Sequence, residues 1–244
     1  MSTVIQAREY FRPRRHVSPT GPGQIVIDLE SLILDASAGV QDSLRFTVRT
    51  LGLNVSDEEL IKVAGWEPVS ALLFRWIGEP DATRQALQVY QDHFDSQGRY
   101  LSQLRPGAAA VLAAVRAVDW QVHYLTHIGK DAAFKLMNQF APDAGIHSII
   151  SSVRPGSGLM RPHLLSGLLH NGKIAAEQTL LVTDHPLEMS AAADLGVPAM
   201  ALGYGRAPAV MLMQYRPAAM ARNCRDAASL LRLHCMALAR NAIN

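Results

Sequence analysis

Cysteine is nearly absent from the chain, with only Cys224 and Cys235 in 244 residues. No disulfide framework holds this fold, and the usage suits a reducing cytoplasm, where the protein is expected to reside. Long hydrophobic runs are missing too. No apolar stretch approaches the roughly 18 residues that span a bilayer, which excludes an ordinary transmembrane helix. Gln6, Arg8 and Glu9 interrupt the N-terminal stretch where a signal peptide would be apolar, and Arg14 and Arg15 follow. Lysine is scarce, 4 against 19 arginines, a skew from which no function follows. A large net charge is also lacking. The formal value is +2, which disfavours a nucleic-acid binder with charge spread over its whole length.

The chain does carry a 49% hydrophobic content, enough for the core of one large or two small domains. The near-neutral total also hides a pattern. Residues 1–22 hold Arg8, Arg12, Arg14 and Arg15 against Glu9, and residues 206–244 hold six arginines against Asp226. The stretch between them is acidic. The first 23 residues, with Pro13, Pro19, Pro22, Gly21 and Gly23 among the arginines, read as a loose basic arm.

Five short apolar runs follow at wide intervals: Ile25-Val26-Ile27, Val122-His123-Tyr124-Leu125, Ser148-Ile149-Ile150, Leu180-Leu181-Val182 and Ala199-Met200-Ala201-Leu202. Helical patterns, such as 108–118 and 131–140, lie between most of them. The pattern predicts a doubly wound α/β fold with a five-stranded parallel Rossmann-like sheet and helices on both faces. Far more than a simple crossover separates the first run from the second. Residues 38–100 keep helical spacing (Val40, Leu44, Val48, Leu51; Leu72, Leu73, Trp76; Leu87, Tyr90, Phe94) without a convincing strand. They are assigned to an inserted helical cap domain, with 24–37 and 101–244 forming the α/β core. Asp57 reads as an N-cap or first-turn residue, and Arg105-Pro106-Gly107 marks the return to the sheet.

In an open parallel sheet, ligands bind outside the carboxyl ends of the strands. Three of these ends are polar: Asp28-Leu29-Glu30-Ser31, Thr126-His127, and Thr183-Asp184-His185-Pro186-Leu187-Glu188. Carboxylates gathered at neighbouring strand ends are costly unless a cation or protons neutralise them, and an oxygen-rich set suits Mg²⁺.

These motifs resemble those of the haloacid dehalogenase superfamily, in its phosphoglycolate-phosphatase-like branch with a helical cap. Against that branch's D-L-D-G-T-L-x-D, Asp28-Leu29-Glu30-Ser31-Leu32-Ile33-Leu34-Asp35 aligns without a gap. Leu125-Thr126-His127 matches the second motif and Arg161-Pro162 stands for its Lys-Pro pair. Val182-Thr183-Asp184-His185-Pro186-Leu187-Glu188, with the following small-residue helix, matches V-G-D-x-x-x-D. The resemblance implies a phosphoric monoester hydrolase acting on a small phosphorylated metabolite. Asp28 would be the nucleophile that becomes an aspartyl-phosphate, and Glu30 the general acid and base. Thr126 would donate to a phosphoryl oxygen, with His127 beside it, and Arg161 would neutralise the phosphate. Asp28, Glu30, Asp184 and Glu188 would hold Mg²⁺.

The departures from the family pattern keep the sign of each charge and change its shape. Glu30 is one methylene longer than the family's Asp, Ser31 and Leu32 replace Gly-Thr, Thr183 replaces Gly, and Glu188 is again the longer acid. Arg161 puts a planar fork where a point charge is usual. Glu30 is accordingly open between acid/base work and a solvated or metal-bridging role. Arg161 competes with Arg154, Lys130 and Lys173 for the cationic part. His127 and His185 read either as plain strand-end histidines or as phosphate donors or weak metal ligands; no His-x-x-x-His spacing supports zinc. The alternative to an enzyme is a catalytically impaired member that keeps the fold as a phospholigand-binding or protein-interaction module. A protein partner would be sought at the basic termini, which lie outside these motifs.

Overall fold

A computed structural model describes residues 23–62, 67, 69–118, 120–151, 162–172 and 174–241. The basic N-terminal arm, Arg154, Arg161 and Lys173 lie outside the described residues.

A parallel sheet forms the centre, with the strand order β5-β4-β1-β6-β7-β8. Its members are β1 (Gln24–Asp28), β4 (Gln121–Thr126), β5 (Ile146–Ser151), β6 (Thr179–Thr183), β7 (Ala199–Leu202) and β8 (Ala219–Ala221). Every residue of β1 is buried, as expected for a strand covered on both faces. The chain therefore has the predicted doubly wound class with one strand more than predicted. The extra strand, β8, is three residues of Ala-Met-Ala, too short and too small to stand out as an apolar run.

Just beyond β1 the chain forms the short helix α1 (Leu29–Leu32) and then β2 (Leu34–Asp35), which pairs antiparallel with β3 (Gln103–Leu104). Between the two strands of this ribbon lie α2 (Ser37–Thr50), α3 (Asp57–Lys62), α4 (Val69–Ile77) and α5 (Pro80–Ser96). This is the stretch whose helical spacing had no strand in it. Asp57 lies in the first turn of α3, and Glu79 caps α5 by accepting the Asp81 and Ala82 amides. Leu44, Leu72, Leu73, Tyr90 and Phe94, all on the expected apolar faces, are buried in one cluster that also contains Ile25 and Ile27 of β1. Gly39 on α2 faces the Gly98 carbonyl so closely that a Cβ there would overlap it.

Helices α6 (Ala108–Arg116), α7 (Lys130–Phe140), α8 (Pro162–Gly172), α9 (Pro186–Leu195), α10 (Ala209–Met213) and α11 (Cys224–Asn241) complete the fold. A second apolar cluster, including Val26, Leu125, Leu165, Leu181 and Met189, joins the opposite sheet face to α8 and α9. Cys224 and Cys235 are both free and buried. Among the described residues, no helix is long and apolar enough to cross a membrane.

Candidate active site

The register of the sheet fixes what meets at its carboxyl edge. Asp28 ends β1 opposite Leu125, one residue before Thr126 ends β4, while Thr183 ends β6 on the other flank. The chain turns immediately after Asp28 because that residue caps α1, its Oδ1 accepting the Ser31 amide at 3.2 Å. The tight turn folds Glu30 and Ser31 back over the strand ends. Arg105, just past β3, clamps it by donating from Nε to the Glu30 carbonyl at 2.7 Å.

Glu30 and Ser31 then reach to opposite sides. The Glu30 carboxylate accepts a short hydrogen bond from the Thr126 hydroxyl and the His127 amide at 3.2 and 3.3 Å. The side chain is buried, so these bonds lie in a low-dielectric setting that strengthens them. On the other side, the Ser31 hydroxyl donates to Asp184 Oδ1 in a similarly short contact.

Asp184 is fully buried, and its strongest partner is Arg206, from the loop after β7. Nη2 of Arg206 lies 2.9 Å from Oδ1, Nε lies 3.2 Å from Oδ2, and the Arg206 backbone amide donates to Oδ2 at 2.6 Å. The same Nη2 is 2.9 Å from the Ser31 hydroxyl and 3.8 Å from Asp28 Oδ2. Burial opposes the charge on Asp184, but the charge and hydrogen bonds of Arg206 outweigh it and hold the carboxyl below the usual carboxylate range. Burial likewise works against the guanidinium, yet Asp184 and Asp28 raise its pKa still further.

Thr183 joins the remaining acid to this centre. Its hydroxyl lies 3.0 Å from Asp28 Oδ2 and 2.8 Å from Glu188 Oε2, so one proton serves two carboxylates, and its oxygen accepts the His185 amide at 2.9 Å. Glu188 stands in the first turn of α9, two residues after the proline that opens the helix, where the helix dipole favours an acid.

Asp28, Glu30, Thr126, His127, Asp184 and Glu188 are thus gathered at one sheet edge. They do not form one acidic quartet around a cation: Glu30 turns toward Thr126, Glu188 toward Thr183, and Asp184 toward Arg206. Among the described residues, the set that could hold a metal is Asp28, Glu30 and His127, whose ligand atoms lie within 4.8 Å of one another. His127 and His185 stack obliquely, with ring centroids 5.5 Å apart. Arg161 falls outside the described residues.

Arg206 is a site residue that the motifs do not single out, standing among the arginines of the basic C-terminal end. The signal was available: applied to the fifth apolar run, the strand-end rule leads directly to Gly203-Tyr204-Gly205-Arg206.

The architecture matches a solved haloacid dehalogenase-like family hydrolase from Streptococcus pneumoniae, with a TM-score of 0.73 at 20% identity over 86% of this chain and 99% of that one. The chain has the haloacid dehalogenase-like fold. Relatives with this similarity include a phosphoglycolate phosphatase of Rhodospirillum rubrum, 25% identical over 203 residues, 78% of this chain and 84% of that protein. Another is the tyrosine-protein kinase PtkA of Mycobacterium tuberculosis, 24% identical over 193 residues. There the match covers 79% of this chain and 66% of the kinase's length. No family model matches the chain. Within that fold, Asp28 ends β1 and Asp184 directly follows β6.

Proposed function

We propose that the chain is a phosphoric monoester hydrolase of the haloacid dehalogenase type, acting on a small phosphorylated metabolite through Asp28. The observation that carries this reading is the burial of Asp28 between Thr126 and Asp184 on adjacent central strand ends, with a second carboxylate, Glu30, two residues on. An Asp28 oxygen attacks phosphorus and the bond to the ester oxygen breaks. The leaving oxygen takes a proton from the Glu30 carboxylic acid. Glu30, now a carboxylate, takes a proton from water, whose oxygen bonds to phosphorus as the P–O bond to Asp28 breaks; phosphate leaves, and the Asp28 carboxylate and the Glu30 acid are regenerated.

The resemblance places Mg²⁺ at Asp28, Glu30, Asp184 and Glu188. The Arg206 guanidinium stands between Asp28 and Asp184, so no step is assigned to a metal. Asp28, Glu30 and a His127 nitrogen are the residues whose spacing suits an ion.

A second reading has its own observation. The Glu30 carboxylate sits on the Thr126 hydroxyl and the His127 amide, donors that the resemblance reserves for a phosphoryl group. A site that holds its own anion against these donors favours impaired turnover, with the fold kept as a phospholigand-binding or protein-interaction module.

Phosphate release from p-nitrophenyl phosphate and a metabolite panel, with Mg²⁺, Mn²⁺, Co²⁺ or chelator, separates the two. The hydrolase reading expects turnover that Asp28→Asn abolishes. Equal inertness of wild type and variant across the panel overturns it in favour of the module.

A further inference from the structure

The cation between Asp28 and Asp184 comes from the chain itself. A carboxylate offers about four lone-pair positions. On Asp184, Oδ1 receives Arg206 Nη2 and the Ser31 hydroxyl, and Oδ2 receives Arg206 Nε and the Arg206 amide. All four positions are engaged. A bound Mg²⁺ demands near-octahedral oxygen ligands at about 2.0–2.1 Å, and Asp184 has no lone pair left to supply one.

A second, independent feature shows that the loop is shaped for this contact. A Cβ at Gly205 would overlap the Asp184 carboxylate. The backbone of the loop after β7 therefore lies directly against the acid, which only glycine at position 205 permits without displacement. Arg206 follows, and its amide and side chain bond the same carboxylate. With its side chain only 18% exposed and the Asp184 side chain at 0%, this is a planar fork seated in a matched pocket.

We propose that Arg206 is the resident cation of the Asp28–Asp184 pair and takes the place of the divalent ion there, so that phospholigand binding and any turnover are independent of a metal at Asp184. For its catalytic consequence the proposal rests on Asp28 as nucleophile. Its physical content does not. The guanidinium supplies one positive charge and fixed N–H donors directed between two carboxylates, and with the ligand phosphate it neutralises less charge than a dication would.

The test measures Mn²⁺ binding to the full chain by electron paramagnetic resonance, which needs no substrate. Wild type should show no binding that Asp184→Asn removes. Arg206→Ala should gain a site roughly tenfold or more tighter than any in wild type, and the added Asp184→Asn should abolish it. Arg206→Gln, which keeps most of the side chain, guards against misfolding of the alanine variant and should show the same gain. Thermal unfolding gives a parallel readout: millimolar Mg²⁺ should raise the midpoint of the Arg206 variants more than that of wild type, and the added Asp184→Asn should remove the difference. Asp184-dependent Mn²⁺ binding in wild type, or no gain in either Arg206 variant, overturns the proposal. An inert wild-type enzyme overturns the hydrolase reading alone, because the Mn²⁺ measurement is independent of turnover.

Discussion

Glu30→Asp is the substitution most informative about how this site is occupied. It withdraws the carboxyl by one carbon–carbon bond, about 1.5 Å. The Thr126 hydroxyl and the His127 amide, at 3.2 Å, then both fall out of reach of the acid. A hydrogen bond to a charged group contributes about 1.5–3 kcal/mol. Two such losses, partly offset by water entering the vacated space, leave a destabilisation of about 2–3 kcal/mol. In a chain of this length each kcal/mol lowers the thermal midpoint by about 2–4 °C, so a fall of roughly 4–12 °C is expected. The variant also exposes two donors that inorganic phosphate can use. At phosphate ten times its dissociation constant, ligand linkage returns about 1.4 kcal/mol. Thermal melts of wild type and variant, each with and without phosphate, measure both effects. A variant with the wild-type midpoint and the wild-type phosphate response would refute the idea that Glu30 occupies the anion-binding donors.

Three further outcomes follow from the same geometry. Thr183→Val removes the hydroxyl shared by Asp28 and Glu188 and should cost about 1–3 kcal/mol in urea unfolding, with little change if the hydroxyl is incidental. Gly205→Ala forces a methyl group against Asp184 and should cost about 1–3 kcal/mol while loosening Arg206; a neutral effect would mean that the loop adapts without cost. The last concerns pH. Burial lowers the pKa of His123 and of His234 to about 4. Both histidines are therefore neutral in the folded chain, and since the folded value lies below the unfolded one of about 6.5, the stability they confer is complete above that pH and is lost toward pH 4. Each should contribute about 2 kcal/mol to the fall in stability between pH 7 and 5. His123, held between Ser148 and Gln24 at 2.7 Å on each side, is the one to replace. His123→Gln should flatten the pH dependence of the urea midpoint, and an unchanged slope would count against this assignment.

Much of the architecture was written in local pattern. Buried parallel strands must be apolar on both faces, so Ile25-Val26-Ile27 and Leu180-Leu181-Val182 announce themselves, and helical spacing in 38–100 survives because α2 and α5 each bury one face. β8 did not announce itself, because three residues at a sheet edge, two of them alanine, need no strong apolar signal.

At the site, sequence by itself determined which acids reach the carboxyl edge: Asp28, Glu30, Asp184 and Glu188 stand at fixed offsets from strands whose ends the apolar runs mark. It also determined that such an assembly needs a positive charge. Where that charge comes from was a matter for tertiary structure. Arg206 lies 22 residues after Asp184 and looked like one of six arginines in a basic tail. Only the pairing of β6 with β7 places the following loop over Asp184, and only the missing side chain at Gly205 lets it come close. A long charged side chain takes its partner from what the folded surface puts within reach, a relation that no local pattern in the sequence records.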